Sequence, residues 1–492
     1  MKDLKIKTIR GALARLSAQG ANFAVGMLSL MVLGRLLGPA EYGLVGMVTA
    51  FTGVLGLFRD FGLSAAAVQR SEITDEQASA LFWINMLVGA VLTVVTIAMA
   101  PAVAVFYHDR RLIAVTMVTA TGFLFNAAGV QHGVQLQRQM RFSAMGVIST
   151  GSAVVSAAVG IGAALLGYGY WALVLMSVTA PLLTAMASWI AVGWIPGLPH
   201  RQTGVRSMMR FGGTVTLHGI VVYIAFNLEK VLMGRFWGAD ALGLYGRAYR
   251  LINLPTENLN AAAGEVTFSA LSRLQDQPER LRSYFLRAYS LILALTLPVT
   301  VAFALFSGDL IFVLLGPKWT AAGPILRLLA PTILIFALIN PVAWLMYSVG
   351  LVGRSLKLGL IFTPFIVTGY AIGLRYGPNG VALGYSAVMI LCALPLTALC
   401  VRGTPVSLAD ILKTSARPMV CAFVAGVMAF ALRIAYGHRL SPLPRLAMET
   451  GLLMAAFAVM LLFVAGQKSL YLDLLRGLKG TSPIEEKSLA SA

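Results

Sequence analysis

Apolar stretches long enough to cross a lipid bilayer recur from one end of this 492-residue chain to the other. A helix needs about 20 mainly apolar residues to span a hydrocarbon core roughly 30 Å thick. Within that core every backbone polar group must be bonded inside the protein, which leaves only helices or closed barrels. Long continuous apolar runs, rather than short alternating ones, favour helices. The sequence therefore predicts an all-α polytopic membrane protein.

Hydropathy predicts about fourteen transmembrane helices. They lie near 14–37, 42–64, 80–106, 112–134, 144–166, 170–195, 212–236, 242–270, 286–307, 321–349, 355–376, 380–401, 415–436 and 446–466. Of the 38 Lys and Arg residues, 25 fall at the helix ends on the same side as the N-terminus, against 10 on the opposite side. An excess of positive charge marks the cytoplasmic side of a membrane protein. We therefore expect both termini to be cytoplasmic.

An internal repeat divides the predicted helices into two halves. Residues 34–46 read GRLLGPAEYGLVG, and residues 234–246 read GRFWGADALGLYG. The copies join predicted helices one and two, and seven and eight, so the halves have the same orientation. This predicts a six-helix lobe at 1–200, a second at 201–405, and two extra helices with a cytoplasmic tail at 406–492. Two similar bundles are typical of alternating-access transporters.

Composition and motifs exclude several other classes of protein. The net charge of +19 is explained by basic cytoplasmic loops, and no basic run with interleaved aromatics indicates a nucleic-acid partner. No phosphate loop, HExxH motif or paired CxxC motif occurs. We therefore expect neither an enzyme nor a bound cofactor or metal. Energy for transport would come from a proton or sodium gradient, a membrane potential or substrate flux.

Polar residues recur along the eighth predicted helix at spacings of three and four. Arg250, Asn253, Glu257 and Asn260 therefore form one stripe on the helix surface. Charged side chains are costly in hydrocarbon and must face protein or water. The stripe is interpreted either as a buried ion-pair network or as the lining of a hydrated cavity that contacts substrate. Its length favours the cavity.

The seventh predicted helix carries three further polar residues near its outer end. They are Asn227, Glu229 and Lys230. Neighbouring residues point about 100° apart on a helix, so Glu229 and Lys230 need not pair. We expect Arg250 to pair with Glu229 instead. The candidate substrate cavity is completed in the first half of the chain by Gln19, Asn22, Arg59 and Asp60.

An ordered set of motifs resembles a known family. The motifs are DFGLSAAAVQR (60–70), FYHDRRL (106–112), GYGYWAL (167–173), NLEKVLMGR (227–235) and LGLY (242–245). They are similar to the lipopolysaccharide and colanic-acid exporter branch of the polysaccharide transport family. That family belongs to the superfamily of multidrug, oligosaccharidyl-lipid and polysaccharide flippases. One departure is Glu229, where Asp is expected as often, and the charge is kept.

The resemblance implies a flippase of the bacterial inner membrane. Its substrate would be a polyprenyl-pyrophosphate-linked oligosaccharide repeat for an exopolysaccharide, a capsule or O-antigen. Membrane lipids, a polysaccharide polymerase and chain-length machinery are the partners it implies. Two alternatives come from the same superfamily, a cation-coupled multidrug exporter and a peptidoglycan lipid-precursor flippase. A membrane-embedded glycosyl transferase is a third, and the lack of long loops argues against it.

Overall fold

The computed structural model describes residues 2–59, 73–198, 206–436 and 439–466. Within these ranges every regular element is a helix. The α-helices are α1 (Lys2–Leu36), α2 (Pro39–Gly56), α3 (Asp75–Tyr107), α4 (Arg111–Arg138), α5 (Phe142–Leu165), α6 (Trp171–Val192), α7 (Arg206–Arg273), α8 (Pro278–Leu305), α9 (Ser307–Leu315), α10 (Ala322–Leu329), α11 (Pro331–Ser348), α12 (Val352–Leu374), α13 (Gly377–Val401), α14 (Leu408–Tyr436) and α15 (Pro442–Val459). The predicted helical fold class is confirmed.

Eleven helices in the described ranges are long and apolar enough to cross a membrane. They overlap eleven of the fourteen predicted spans. Three predicted spans remain, near 42–64, 212–236 and 242–270. The first overlaps α2, and the other two both fall within α7. The number fourteen therefore stays a prediction.

Both copies of the repeat interrupt a helix at the equivalent glycine. Gly238 has φ 79° and ψ −176°, which splits α7 into a first arm (206–237) and a second arm (239–273). Only glycine adopts a positive φ without strain. Gly38 is extended, with φ −98° and ψ 173°, and its backbone N–H donates to the Glu41 carboxylate. The two breaks thus occur at the same position of the repeat by different backbone geometries.

The chain divides into two compact units. The first contains residues 1–246 and 314–319, and the second contains residues 247–313 and 320–492. In the first unit α3 packs along α4, α4 along α6, α6 along α5, and α5 along α1. Leu81, Leu112 and Val115 are completely buried in the α3–α4 pair. The segment after α6 is held on this pair, because Trp83 Nε1 donates to the Gly197 carbonyl at 2.8 Å.

The second unit has a hydrophobic core that includes the two C-terminal helices. Phe285 of α8, Leu345 of α11, Ala425 of α14 and Leu453 of α15 are completely buried in this core. Burial of such apolar surface is the main force that stabilises a packed core. Helices α14 and α15 are therefore integral to the second unit.

Helices α12 and α13 approach each other through glycines spaced by four residues. A Cβ added to Gly373 would lie 2.2 Å from the Gly380 carbonyl oxygen. A Cβ added to Gly384 would lie 2.3 Å from the Gly369 carbonyl oxygen. Small residues in this pattern let helix backbones pack closely in membranes. This pair of helices is therefore held by close backbone contact, together with the stacked rings of Tyr370 and Tyr385, whose centroids lie 5.3 Å apart.

A cluster of two buried carboxylates and two partly buried arginines, which sequence analysis did not identify, lies where α9, α14 and α15 meet. Arg445 donates to both oxygens of Asp309, with Nε 3.1 Å from Oδ2. Arg433 Nη2 lies 3.3 Å from Asp309 Oδ2, and its Nη1 lies 3.6 Å from Glu449 Oε2. The Asp309 side chain is 6% exposed and that of Glu449 is 0% exposed. The cluster therefore fixes α14 and α15 to α9.

The opposite end of α14 is held by a second ion pair. Arg282 of α8 donates to both carboxylate oxygens of Asp410, at 3.0 and 2.7 Å. The Ser407 backbone N–H donates to the same carboxylate at 3.0 Å. Two-point arginine–carboxylate bonding adds geometric specificity as well as energy. Helix α14 is thus attached at both of its ends.

Candidate substrate-binding residues

The polar stripe on the second arm of α7 contains an ion pair that is open to its surroundings. Arg250 Nη1 donates to Glu257 Oε2 at 2.9 Å. The two side chains are 48% and 55% exposed. They lie seven residues apart, two helical turns along the same face. The pair is therefore an accessible feature of the second unit and not a fully buried network.

The expected ion pair between Arg250 and Glu229 is wrong. The partner of Arg250 is Glu257. Sequence reasoning looked for a partner on the adjacent predicted helix, whereas the long arginine side chain reaches along its own helix instead. Asn253, between the paired residues on the stripe, is half-buried. The side chain of Asn260 lies outside the described residues.

On the first arm of α7, Asn227 and Lys230 are bonded to each other. Lys230 Nζ donates to Asn227 Oδ1 at 2.6 Å, and Asn227 Nδ2 donates to the Tyr223 carbonyl at 3.0 Å. Both side chains are half-buried. A lysine ammonium has three donors, and the bond to Asn227 uses one of them. This arm therefore presents a cation whose position is set by Asn227.

Glu229 is almost completely buried, with 1% of its surface exposed. Among the described residues neither of its carboxylate oxygens has a hydrogen-bond partner. A buried carboxylate without partners is costly when ionised. Glu229 therefore differs from the accessible Glu257, although sequence analysis placed both residues in one cavity.

Of the four candidate residues in the first half of the chain, two lie on α1 and two follow the end of α2. Asn22 Nδ2 donates to Ser149 Oγ of α5 at 2.9 Å, so Asn22 joins two helices. Gln19, one turn earlier on α1, is half-buried. Arg59 is exposed just beyond the end of α2, and Asp60 lies outside the described residues. The substrate roles of these residues stay predictions.

Another arginine contact was missed by sequence analysis. Arg235 Nη1 lies 3.1 Å from His108 Nδ1. The Arg235 guanidinium also lies over the Phe106 ring, 5.6 Å from its centroid. His108 ends α3 in the left-handed conformation, with φ 60°. The available signal was that Phe106 and His108 belong to one motif of the ordered set and Arg235 to another.

Comparison with known proteins identifies the family. A model of the family described as polysaccharide biosynthesis protein matches residues 32–324, more than half of the chain. The chain belongs to this polysaccharide biosynthesis family. The match covers the repeat, the Asn227–Lys230 pair and the Arg250–Glu257 pair. The predicted family is confirmed.

Two relatives within the polysaccharide biosynthesis group show how far the similarity extends. The lipopolysaccharide biosynthesis protein WzxC of Escherichia coli (strain K12) is 26% identical over 79% of this chain and 80% of its own length. The succinoglycan biosynthesis transport protein ExoT of Rhizobium meliloti (strain 1021) is 22% identical over 63% of this chain and 62% of its own length. The names of these proteins refer to the biosynthesis of lipopolysaccharide and of succinoglycan.

A solved structure has the same fold as this polysaccharide biosynthesis protein. The lipid II flippase MurJ, in an inward closed conformation, superimposes with a TM-score of 0.72. The superposition covers 91% of this chain and 98% of MurJ, at 13% sequence identity. At that identity the likeness shows the fold and not the substrate. The predicted all-α fold of a polytopic membrane protein is therefore supported by a solved structure.

Proposed function

We propose that this protein is a flippase that moves a polyprenyl-pyrophosphate-linked oligosaccharide across the bacterial inner membrane by alternating access. The product would serve an exopolysaccharide, a capsule or O-antigen. The accessible Arg250–Glu257 pair carries the proposal. Charged side chains on a membrane-embedded helix cannot face hydrocarbon, so an exposed pair requires a hydrated surface. The biosynthetic names of WzxC and ExoT support the substrate class.

The chemistry of the candidate residues suits such a substrate. A diphosphate and a sugar chain cannot cross hydrocarbon unaided, because each unpaired polar group costs several kcal/mol there. Arg250, Lys230 and Arg59 would hold the diphosphate by charge-assisted hydrogen bonds. Amide side chains would bond sugar hydroxyls, and those available are Gln19, Asn22, Asn253 and Asn260. The polyprenyl tail would stay in the lipid.

The proposed cycle assigns a role to each part of the chain. The lobes at 1–200 and 201–405 would rock to expose the hydrated surface first to one side of the membrane and then to the other. Residues 406–492 would move with the second lobe, because α14 and α15 share its core. Both termini would lie in the cytoplasm. No covalent step is involved, and a proton or sodium gradient or substrate flux would supply the energy.

Deletion of the gene in its native host tests this function. The expected result is loss of one surface glycan and accumulation of its lipid-linked repeat unit, both reversed by a plasmid copy. A polysaccharide polymerase and chain-length machinery would act on the delivered repeat. Unchanged glycans with increased drug sensitivity would instead identify a multidrug exporter. Lysis with accumulated peptidoglycan precursor would identify a peptidoglycan flippase.

Substitutions at Glu229 test whether its charge matters. Glu229→Gln keeps the shape and removes the carboxylate charge, whereas Glu229→Lys buries a second cation beside Lys230. Because desolvating an unpaired charge is the larger cost, Gln is expected to retain most export and Lys to lose it. Export is measured as surface glycan per amount of membrane protein in the deletion strain. Equal export by the two variants would show that transport does not depend on the charge at position 229.

Glu76→Lys is the matched control for this charge reversal. Glu76 lies in the first turn of α3 and is exposed. A single exposed charge near a helix end contributes about 0.3–1 kcal/mol. Glu76→Lys is therefore expected to export normally. If Glu76→Lys lowered export as much as Glu229→Lys does, the added positive charge alone would explain both defects, and the buried position of Glu229 would not matter.

A further inference from the structure

The two copies of the repeat contact each other reciprocally. A Cβ added to Gly43 would lie 1.6 Å from the carbonyl oxygen of Ala239. A Cβ added to Gly243 would lie 1.9 Å from the carbonyl oxygen of Pro39. Residues 239 and 243 are the repeat equivalents of residues 39 and 43, so each copy makes the same contact on the other. Real Cβ atoms essentially never come within 3.0 Å of another atom, so the contact requires glycine on both sides.

This contact, which we call the glycine seal, is defined by Gly43 with Ala239 and by Gly243 with Pro39. It lies wholly within the first unit. Both glycines are buried, and the neighbouring Leu44 and Leu242 are 1% and 3% exposed. Backbone of one copy thus meets backbone of the other in an apolar surrounding. At these two contacts there is no room for even one added methyl group.

The two helix starts that meet at the glycine seal touch without a strong electrostatic attraction between them. Helix α2 and the second arm of α7 both begin there, and helix starts carry partial positive charge. Each start has an acid in its first turn, Glu41 in one and Asp240 in the other, which offsets that charge. The close approach itself offers dispersion and weak Cα–H···O bonds. Such a contact closes tightly and separates without breaking an ion pair.

We propose that the glycine seal closes the transport path at the face of the membrane where the repeat turns lie, and that it opens in every cycle. This inference rests on the proposed flippase function. The predicted topology puts both turns on the outer face. Closure there would hold substrate on the cytoplasmic side, and opening would release it outward. Duplication of the motif explains why both halves of the seal contribute equivalent positions of the repeat.

Gly43→Ala tests the seal with Gly46→Ala as its control on the same helix. A Cβ on Gly46 would meet only the flexible Leu242 side chain, at 3.4 Å, which is an ordinary contact. The reporter is Leu244→Cys, a buried position on the opposite copy, in a chain whose three native cysteines are replaced by alanine. Intact cells are treated with a membrane-impermeant maleimide, and labelling of the purified protein is measured.

The seal predicts at least tenfold faster labelling of this reporter thiol in Gly43→Ala and unchanged labelling in Gly46→Ala. It also predicts that Gly43→Ala loses most export. Protection of the reporter thiol in a well-expressed Gly43→Ala protein, or normal export by it, would overturn the proposal. Labelling needs no substrate, so a positive result combined with unchanged glycans in the deletion strain would reject the flippase function and keep the seal.

Cross-linking provides a second measurement if alanine disturbs folding. Ala40 and Asp240 are equivalent exposed residues beside the seal. Cysteines at both positions would be joined by a short, reducible bis-thiosulfonate reagent. Export is expected to stop on cross-linking and to return on reduction. Normal export by the cross-linked protein, or failure of the two cysteines to cross-link, would contradict the seal.

Discussion

Arg250→Ala is expected to lower export at least tenfold while the amount of protein in the membrane stays near normal. A hydrogen bond to a charged group contributes about 1.5–3 kcal/mol, and 1.4 kcal/mol corresponds to a factor of about ten. Stability should change little, because an exposed ion pair such as Arg250–Glu257 contributes about 0–1 kcal/mol. Export is measured as surface glycan restored to the deletion strain, divided by membrane protein.

Arg280→Ala and Glu257→Gln are the controls for this prediction. Arg280 is an exposed arginine bonded to Gln277 at 2.9 Å, outside the stripe, and its removal should leave export unchanged. Glu257→Gln breaks the same ion pair while leaving the arginine in place, so we expect a smaller defect than for Arg250→Ala. Comparable export by a normally expressed Arg250→Ala protein would remove this arginine from the mechanism.

Asp309→Ala is expected to cause the largest loss of stability in the second unit. Removing this carboxylate leaves two arginine side chains, Arg433 and Arg445, without their shared partner. Breaking one side of a buried pair typically costs about 3–5 kcal/mol. The free energy of unfolding, measured with the purified protein in detergent, should fall by that order. The exposed Asp276→Ala serves as control and should change it by less than about 0.5 kcal/mol.

A double substitution separates loss of the cluster from loss of a single carboxylate. Asp309→Ala with Arg445→Ala removes one charge of each sign, so it should be less destabilising than the sum of the two single changes. Interaction energies of about 0.5–3 kcal/mol are usual for residues in contact. Strict additivity would show that Asp309 and Arg445 stabilise the protein independently, against the cluster described above.

The helices could be predicted from the sequence because hydrocarbon imposes length and composition on each span. Their ends are set by local chemistry that hydropathy does not register. Helix α3 begins at Asp75, five residues before its predicted span, because Thr74 and Gln77 form a capping box. The break at Gly238 was predicted as a loop, and it is a single residue with positive φ.

Contacts between distant residues were the part that sequence patterns did not specify. Asp309 meets Arg445 across 136 positions of the chain, and nothing in either local sequence indicates the partner. Arg250 was assigned to the wrong carboxylate, because periodicity gives the face of a helix and not the reach of a side chain. The glycine seal did have a signal, the ungapped repeat at an interval of 200 residues.

Flipping by the purified protein tests the central claim most directly. The full chain is reconstituted in sealed vesicles of bacterial phospholipids that contain a fluorescent polyprenyl-diphosphate oligosaccharide, and an impermeant reductant then bleaches the outer leaflet. Wild-type protein should expose the inner-leaflet probe, so that bleaching proceeds well beyond the roughly half of the probe that faces outward in a bilayer. Arg250→Ala vesicles should match protein-free ones. Wild-type vesicles that bleach no further than protein-free vesicles would contradict the claim.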